Sequence, residues 1–128
     1  MGVLSSTVEP IGATLRMQGG TPMVVSILMR KTRIAERARL ESALQSAMPK
    51  IRNVVEQQPG FASIQYLWDM YEEGAIAQIT TWETDGDCRR YVREGAAATV
   101  ATIEESALPT APHPEGAWVR RTFETVEL

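Results

Sequence analysis

The run Met23-Val24-Val25-Ser26-Ile27-Leu28-Met29-Arg30 constrains the fold of this chain more than any other segment. It is rich in β-branched and long apolar residues, is bounded by Pro22 and by Lys31-Thr32, and reads as a strand. Alternate side chains of a strand face opposite sides of its sheet. Here both parities are apolar: Val25, Ile27 and Met29 on one side, Val24 and Leu28 on the other. Such a strand needs burial on both faces, so the sheet it joins needs a layer on each side.

The rest of the chain supplies partners for that strand. From Ile34 to Gln58, apolar residues recur at steps of three and four (Leu40, Leu44, Ala47, Met48, Ile51, Val54, Val55), which predicts an amphipathic helix. Thr32 is placed to cap it. Pro49 removes one helical hydrogen bond and is expected to kink or split the helix near Ala47. Pro59-Gly60 ends it. Phe61 to Met70 alternates as a second strand, with Ala62, Ile64, Tyr66, Trp68 and Met70 on one side. Glu72-Glu73-Gly74 is a turn, and Ala75 to Trp82 a third strand. Thr84-Asp85-Gly86-Asp87 offers caps for a second helix, Cys88 to Leu108, with Tyr91, Val100 and Ile103 among its inward residues. The proline-rich stretch 109–116 is a loop, and Ala117 to Val126 the fourth strand. Residues 1–21, broken by Pro10, Gly12 and Gly19-Gly20, are expected to form a flexible arm outside the domain at 22–128. The alternative for the arm is folding over a partner subunit.

The order β-α-β-β-α-β is the ferredoxin-like α+β arrangement, a four-stranded sheet with both helices on one face. Two helices cover only that face. The two-sided first strand therefore predicts a homodimer packed sheet to sheet, with a tail laid over the open face as the alternative. One relationship stays open. A two-residue turn at Glu72-Glu73 puts Tyr66 and Trp68 on the face opposite Trp82, and a three-residue turn reverses this.

Composition removes whole classes of function. The chain has 128 residues, one Cys and one His, which excludes an internal disulfide and a Cys/His zinc site built from one chain; no metal is expected. Its net charge is −3, and its cations are interleaved with acids, as in Arg33-Ile34-Ala35-Glu36-Arg37. That is a salt-bridged surface rather than a track for nucleic acid. No apolar run approaches the ~20 residues of a membrane span, and no basic start precedes an apolar segment as in a secretory leader. A cytoplasmic protein is expected.

Gln57-Gln58-Pro59-Gly60-Phe61 after an amphipathic helix, a hairpin ending Thr81-Trp82-Glu83, and an acidic-capped helix resemble the antibiotic-biosynthesis-monooxygenase type of dimeric α+β barrel. The resemblance covers about residues 22–127. It implies a small-molecule enzyme of a biosynthetic, polyketide-type pathway that uses no cofactor. Its reaction would be monooxygenation of a polycyclic phenol or anthrone-like substrate. A cyclase or isomerase using the same pocket, or a non-catalytic dimeric binding or accessory protein, is the alternative. The family also includes haem-degrading enzymes, which ligate iron through a histidine on the second helix. The segment Cys88 to Leu108 has no histidine, and strand one lacks the asparagine that branch uses.

By this resemblance Trp82 matches the family tryptophan at the end of the third strand, and Gln78, four residues earlier, stands where the anthrone-type oxygenases have asparagine. Gln78 and Trp82 are then the catalytic candidates: an amide and an indole N–H to stabilise a developing oxyanion, with the indole also stacking on a flat ring. Tyr66, Trp68, Tyr91 and Arg30 are the substrate-binding candidates. Tyr91 sits at a spacing that differs from those oxygenases. His113 reads as a solvated loop residue and Cys88 as a structural thiol.

Overall fold

A computed structural model of the chain describes residues 22–128; the arm expected at 1–21 lies outside them. The elements are β1 (Val24–Lys31), α1 (Arg37–Val55), β2 (Phe61–Trp68), β3 (Ala75–Trp82), α2 (Asp85–Arg93), α3 (Ala96–Ala107) and β4 (Val119–Glu124). The four strands form one antiparallel sheet in the order β2-β3-β1-β4. This is the ferredoxin-like α+β fold, with all three helices packed on one face.

Three helical expectations are corrected. α1 runs through Pro49 unbroken. Proline has no N–H to give the Gln45 carbonyl, and both residues lie on the exposed side of the helix. The opposite stripe, Leu40, Leu44, Ala47, Ile51 and Val55, stays buried on the sheet. The second helix, by contrast, is two helices. Gly95 adopts φ +98° between α2 and α3, a left-handed conformation that glycine reaches without a Cβ clash. Thr84 caps α2, its side chain accepting from Asp87 N. Thr32 does not cap α1: its Oγ1 accepts from Ile34 N at 3.2 Å, and the helix starts behind Glu36 without a side-chain cap.

The register answers the question that turn length left open. Tyr66 pairs with Gln78, Trp68 with Ile76 and Ile64 with Thr80, so Tyr66 and Trp68 share the face of Trp82. Residues 69–74 make a longer connection than either turn considered. Asp69 Oδ1 accepts from Tyr71 N and Glu72 N at 2.8 and 2.9 Å, and Gly74 takes φ +80°. A bulge between Phe61 and Ser63 then turns Ala62 out to solvent, against the alternation expected of it, and sets Phe61 opposite Trp82.

The even-numbered residues of β1, β2 and β3 face the helices. Val24, Ile64 and Trp82 pack with Ala47, Ile51, Val55, Tyr91 and Val100 at one end. Ile76 packs with Ile34, Leu40, Leu44 and Leu108 at the other. The odd-numbered residues make the second face. There Met29, Leu67 and Val119 are exposed, and Phe123 is 50% exposed.

Candidate functional site

Between the two apolar clusters lies a buried polar one. β1, β2 and β3 each contribute a residue whose side chain points toward α3: Arg30, Tyr66 and Gln78. α3 answers with Glu104. Arg30 and Glu104 form an ion pair at 3.3 Å, their side chains 1% and 2% exposed. The Tyr66 hydroxyl donates to Glu104 Oε2, and Gln78 Nε2 donates to the same oxygen. Gln78 Nε2 also donates to Tyr66 Oη at 3.1 Å. One carboxylate thus collects a guanidinium, a phenol and an amide, which is how a buried charge is kept satisfied.

Arg30 is held further. Its Nη1 donates to Leu108 O at 2.7 Å and to Thr110 Oγ1 at 3.3 Å. Leu108 is the C-cap of α3, so the cation also meets the negative end of that helix. Trp118 lies over the guanidinium, 4.4 Å from its carbon to the ring centroid, and donates its indole N–H to Thr110 Oγ1 at 3.0 Å.

Burial raises the Tyr66 pKa far above the usual phenol range, and the neighbouring Glu104 charge and hydrogen bond push it the same way. Tyr66 is therefore a neutral donor at any physiological pH. Tyr91 moves up to about 12, chiefly by burial.

Trp82 lies at the other end of the helix-side face and is fully buried. Its ring is tilted against Tyr91 with centroids 4.7 Å apart, and meets Phe61 edge-on at 5.7 Å. Its indole N–H donates to Thr80 Oγ1 at 2.9 Å. The structure therefore brings Arg30, Tyr66 and Gln78 together, and groups Trp82 separately with Tyr91. Trp68 stands at the rim of the sheet, with Arg37 over its ring at 5.1 Å.

One surface depression, of about 280 Å³, touches the polar cluster at its edge and is lined by Tyr66, Leu67, Trp68 and Met70. Another of about 490 Å³ lies against the odd-numbered face of the sheet, with Met29, Leu67, Ala77, Val119 and Arg121 in its wall. A third, of about 470 Å³, lies between the start of α1 and Trp68, Met70 and Tyr71. Cys88 is buried, and burial raises its thiol pKa despite Arg120 nearby. His113 is exposed in the loop before β4.

Reading by residue type missed Glu104, Thr80 and Trp118. Glu104 had a signal: with Ala97 and Val100 it lies on the buried stripe of α3, at steps of three and four, where a carboxylate needs a partner.

Among the described residues no helix is long and apolar enough to cross a membrane, and no group of three or more His, Cys, Asp or Glu is placed to hold a metal ion. No protein-family model and no curated protein matches the chain. Solved structures do. SnoaB, a cofactor-independent oxygenase from Streptomyces nogalater, superposes with a TM-score of 0.59 at 16% identity, over 84% of this chain and 97% of that one. A Caulobacter crescentus structure, provisionally named an antibiotic biosynthesis monooxygenase, gives 0.57 at 16% identity over 84% and 92%. The haem degrader MhuD from Mycobacterium tuberculosis, solved with two haems in its active site, gives 0.54 at 23% identity over 81% and 96%. The fold of this chain is thus the one on which the antibiotic-biosynthesis-monooxygenase-type structures are built, as the Pro-Gly-Phe and Trp-Glu landmarks suggested.

Proposed function

We propose that this chain is a small-molecule enzyme of a biosynthetic pathway: a cofactor-independent monooxygenase acting on a polycyclic phenol or anthrone-like substrate, as a cytoplasmic homodimer. The observation that carries the reading is the convergence of Arg30, Tyr66, Gln78 and Glu104 on the helix side of the sheet, in a fold shared with SnoaB. A fold names no reaction; the site must supply it. An anthrone carries its own reducing electrons. With dioxygen as oxidant, one oxygen atom becomes a carbonyl on the ring and the other leaves as water with the two methylene hydrogens. The protein then has only to bind, orient and exclude water. Gln78 and Trp82 are the groups proposed to face the reacting ring, and Tyr66, Trp68, Tyr91 and Arg30 to hold it.

Incubating the protein with anthrone under air, with product followed by mass spectrometry against a buffer control, tests the reaction. Product above control, reduced in Gln78→Ala and Trp82→Phe, supports it. No product, or no effect of either substitution, removes it.

A second reading, a non-catalytic dimeric binding protein, draws on a different observation. A hydrogen of the Gln78 amide and that of the Trp82 indole are engaged within the protein. Ligand binding without turnover in the same assay selects this reading. The homodimer is favoured by the apolar second face, where Met29, Leu67, Val119 and Phe123 are exposed. Mass by size-exclusion chromatography tests it, and a monomer of 14.2 kDa removes it.

A further inference from the structure

The odd-numbered face of the sheet carries charges that do not balance locally. Arg121 stands on β4 opposite Ile27 of β1, among the exposed apolar residues Met29, Val119 and Phe123 of that face. It lines the depression of about 490 Å³ there. Among the described residues it forms no ion pair. Elsewhere in the wall of the same depression the excess is of carboxylates. Lys31 Nζ lies 3.5 Å from Glu72 Oε2 and 3.7 Å from Glu115 Oε1, so one ammonium holds two of them. Their side chains are 58% and 68% exposed, which leaves acceptor capacity free on both. The third carboxylate, Asp69, is taken up by backbone N–H groups of its own turn.

One depression therefore holds a guanidinium without a partner and a carboxylate in excess, and within the chain the two do not meet. A two-fold axis supplies from a second copy what the first lacks, and makes the contact twice. A cation closed into an apolar interface without a counter-charge is costly, whereas opposite charges facing each other across it fix register and partner. We infer that Arg121 selects a second copy of this chain, pairing across the sheet-to-sheet interface with the partner's Glu72 and Glu115. This rests on the homodimer proposed above and adds the contact that makes the face specific for itself.

The test uses two variants of the whole chain, Arg121→Glu and the double variant Glu72→Lys with Glu115→Lys. All three positions are exposed, so each variant should keep the circular dichroism of the wild type. Sedimentation gives the dimer affinity. Each variant alone sets like charges against each other at both contacts, and should dimerise about a hundredfold more weakly than the wild type. An equimolar mixture sets opposite charges at both contacts. It should recover a dimer near the wild-type affinity, with one chain of each kind by native mass spectrometry. A mixture as weak as its components overturns the inference, because the charges then act within one chain. Wild-type dimerisation of Arg121→Glu also overturns it, and leaves the homodimer standing on its apolar contacts. A monomeric wild type removes the homodimer and the inference together, and leaves the face to another occupant.

Discussion

Arg30 of β1 and Glu104 of α3, separated by 74 positions in the chain, meet as an ion pair beneath the indole of Trp118. The pair links the first strand to the last helix. Removing one partner leaves a buried charge alone, which costs about 3–5 kcal/mol, whereas replacing both with apolar residues is often far milder. Arg30→Met and Glu104→Leu are each expected to lose that amount in urea denaturation, and the double variant less than the sum. Additive losses would show that the two residues act independently.

The buried phenols set an alkaline limit. Unfolded tyrosine ionises near pH 10, while Tyr91 in the fold does so at about 12 and Tyr66 higher still. Below about pH 10 both states carry the proton and stability is unaffected. Above it the unfolded chain has released a proton that the native chain keeps, so stability falls with rising pH. Each phenol contributes about 1.4 kcal/mol per pH unit, a window that closes for Tyr91 at about 12. Urea denaturation at increasing alkaline pH should show this fall, and Tyr91→Phe should reduce its slope. A flat profile would contradict the burial of both rings.

Cys88 should be silent until the fold opens. Its side chain is buried and its pKa raised, and the thiolate is the reactive form. A disulfide reagent is expected to label it at the rate of unfolding and fully in denaturant. Rapid labelling of the native protein would place the thiol at the surface.

Two glycines separate backbone strain from steric exclusion. Gly95 has φ +98°, and a Cβ there would meet nothing within 4 Å, whereas Gly74 has φ +80° and a Cβ there would lie 2.7 Å from the backbone oxygen of Thr32. Gly95→Ala should cost about 1 kcal/mol from conformation alone, and Gly74→Ala distinctly more, because the β2–β3 connection must also move. Equal melting temperatures for the two variants would remove the steric part of the account.

Much of this architecture was legible in the chain. β3 spans the residues expected, Ala75–Trp82, and the order of elements follows from period and punctuation, because those signals are local. Pro49 misled because its effect depends on which side of the helix it occupies, and it lies on the solvated side. Gly95 was overlooked because the apolar spacing continues across it. Glu104 was missed because a carboxylate in an apolar stripe acquires meaning only from its partners, which stand on three other elements.

The sequence by itself determined that this is one α+β sheet layer whose first strand is apolar on both faces, since alternation and burial are properties of neighbouring residues. Only the tertiary structure decided that Tyr66 lies opposite Gln78, that Trp82 gives its N–H to Thr80, and that Arg30, Tyr66 and Gln78 converge on Glu104. Those relationships depend on the length of a loop, a bulge at Ala62 and the packing of a helix that closes late in the chain. Distances between remote residues are set by such long-range geometry, which no local pattern encodes.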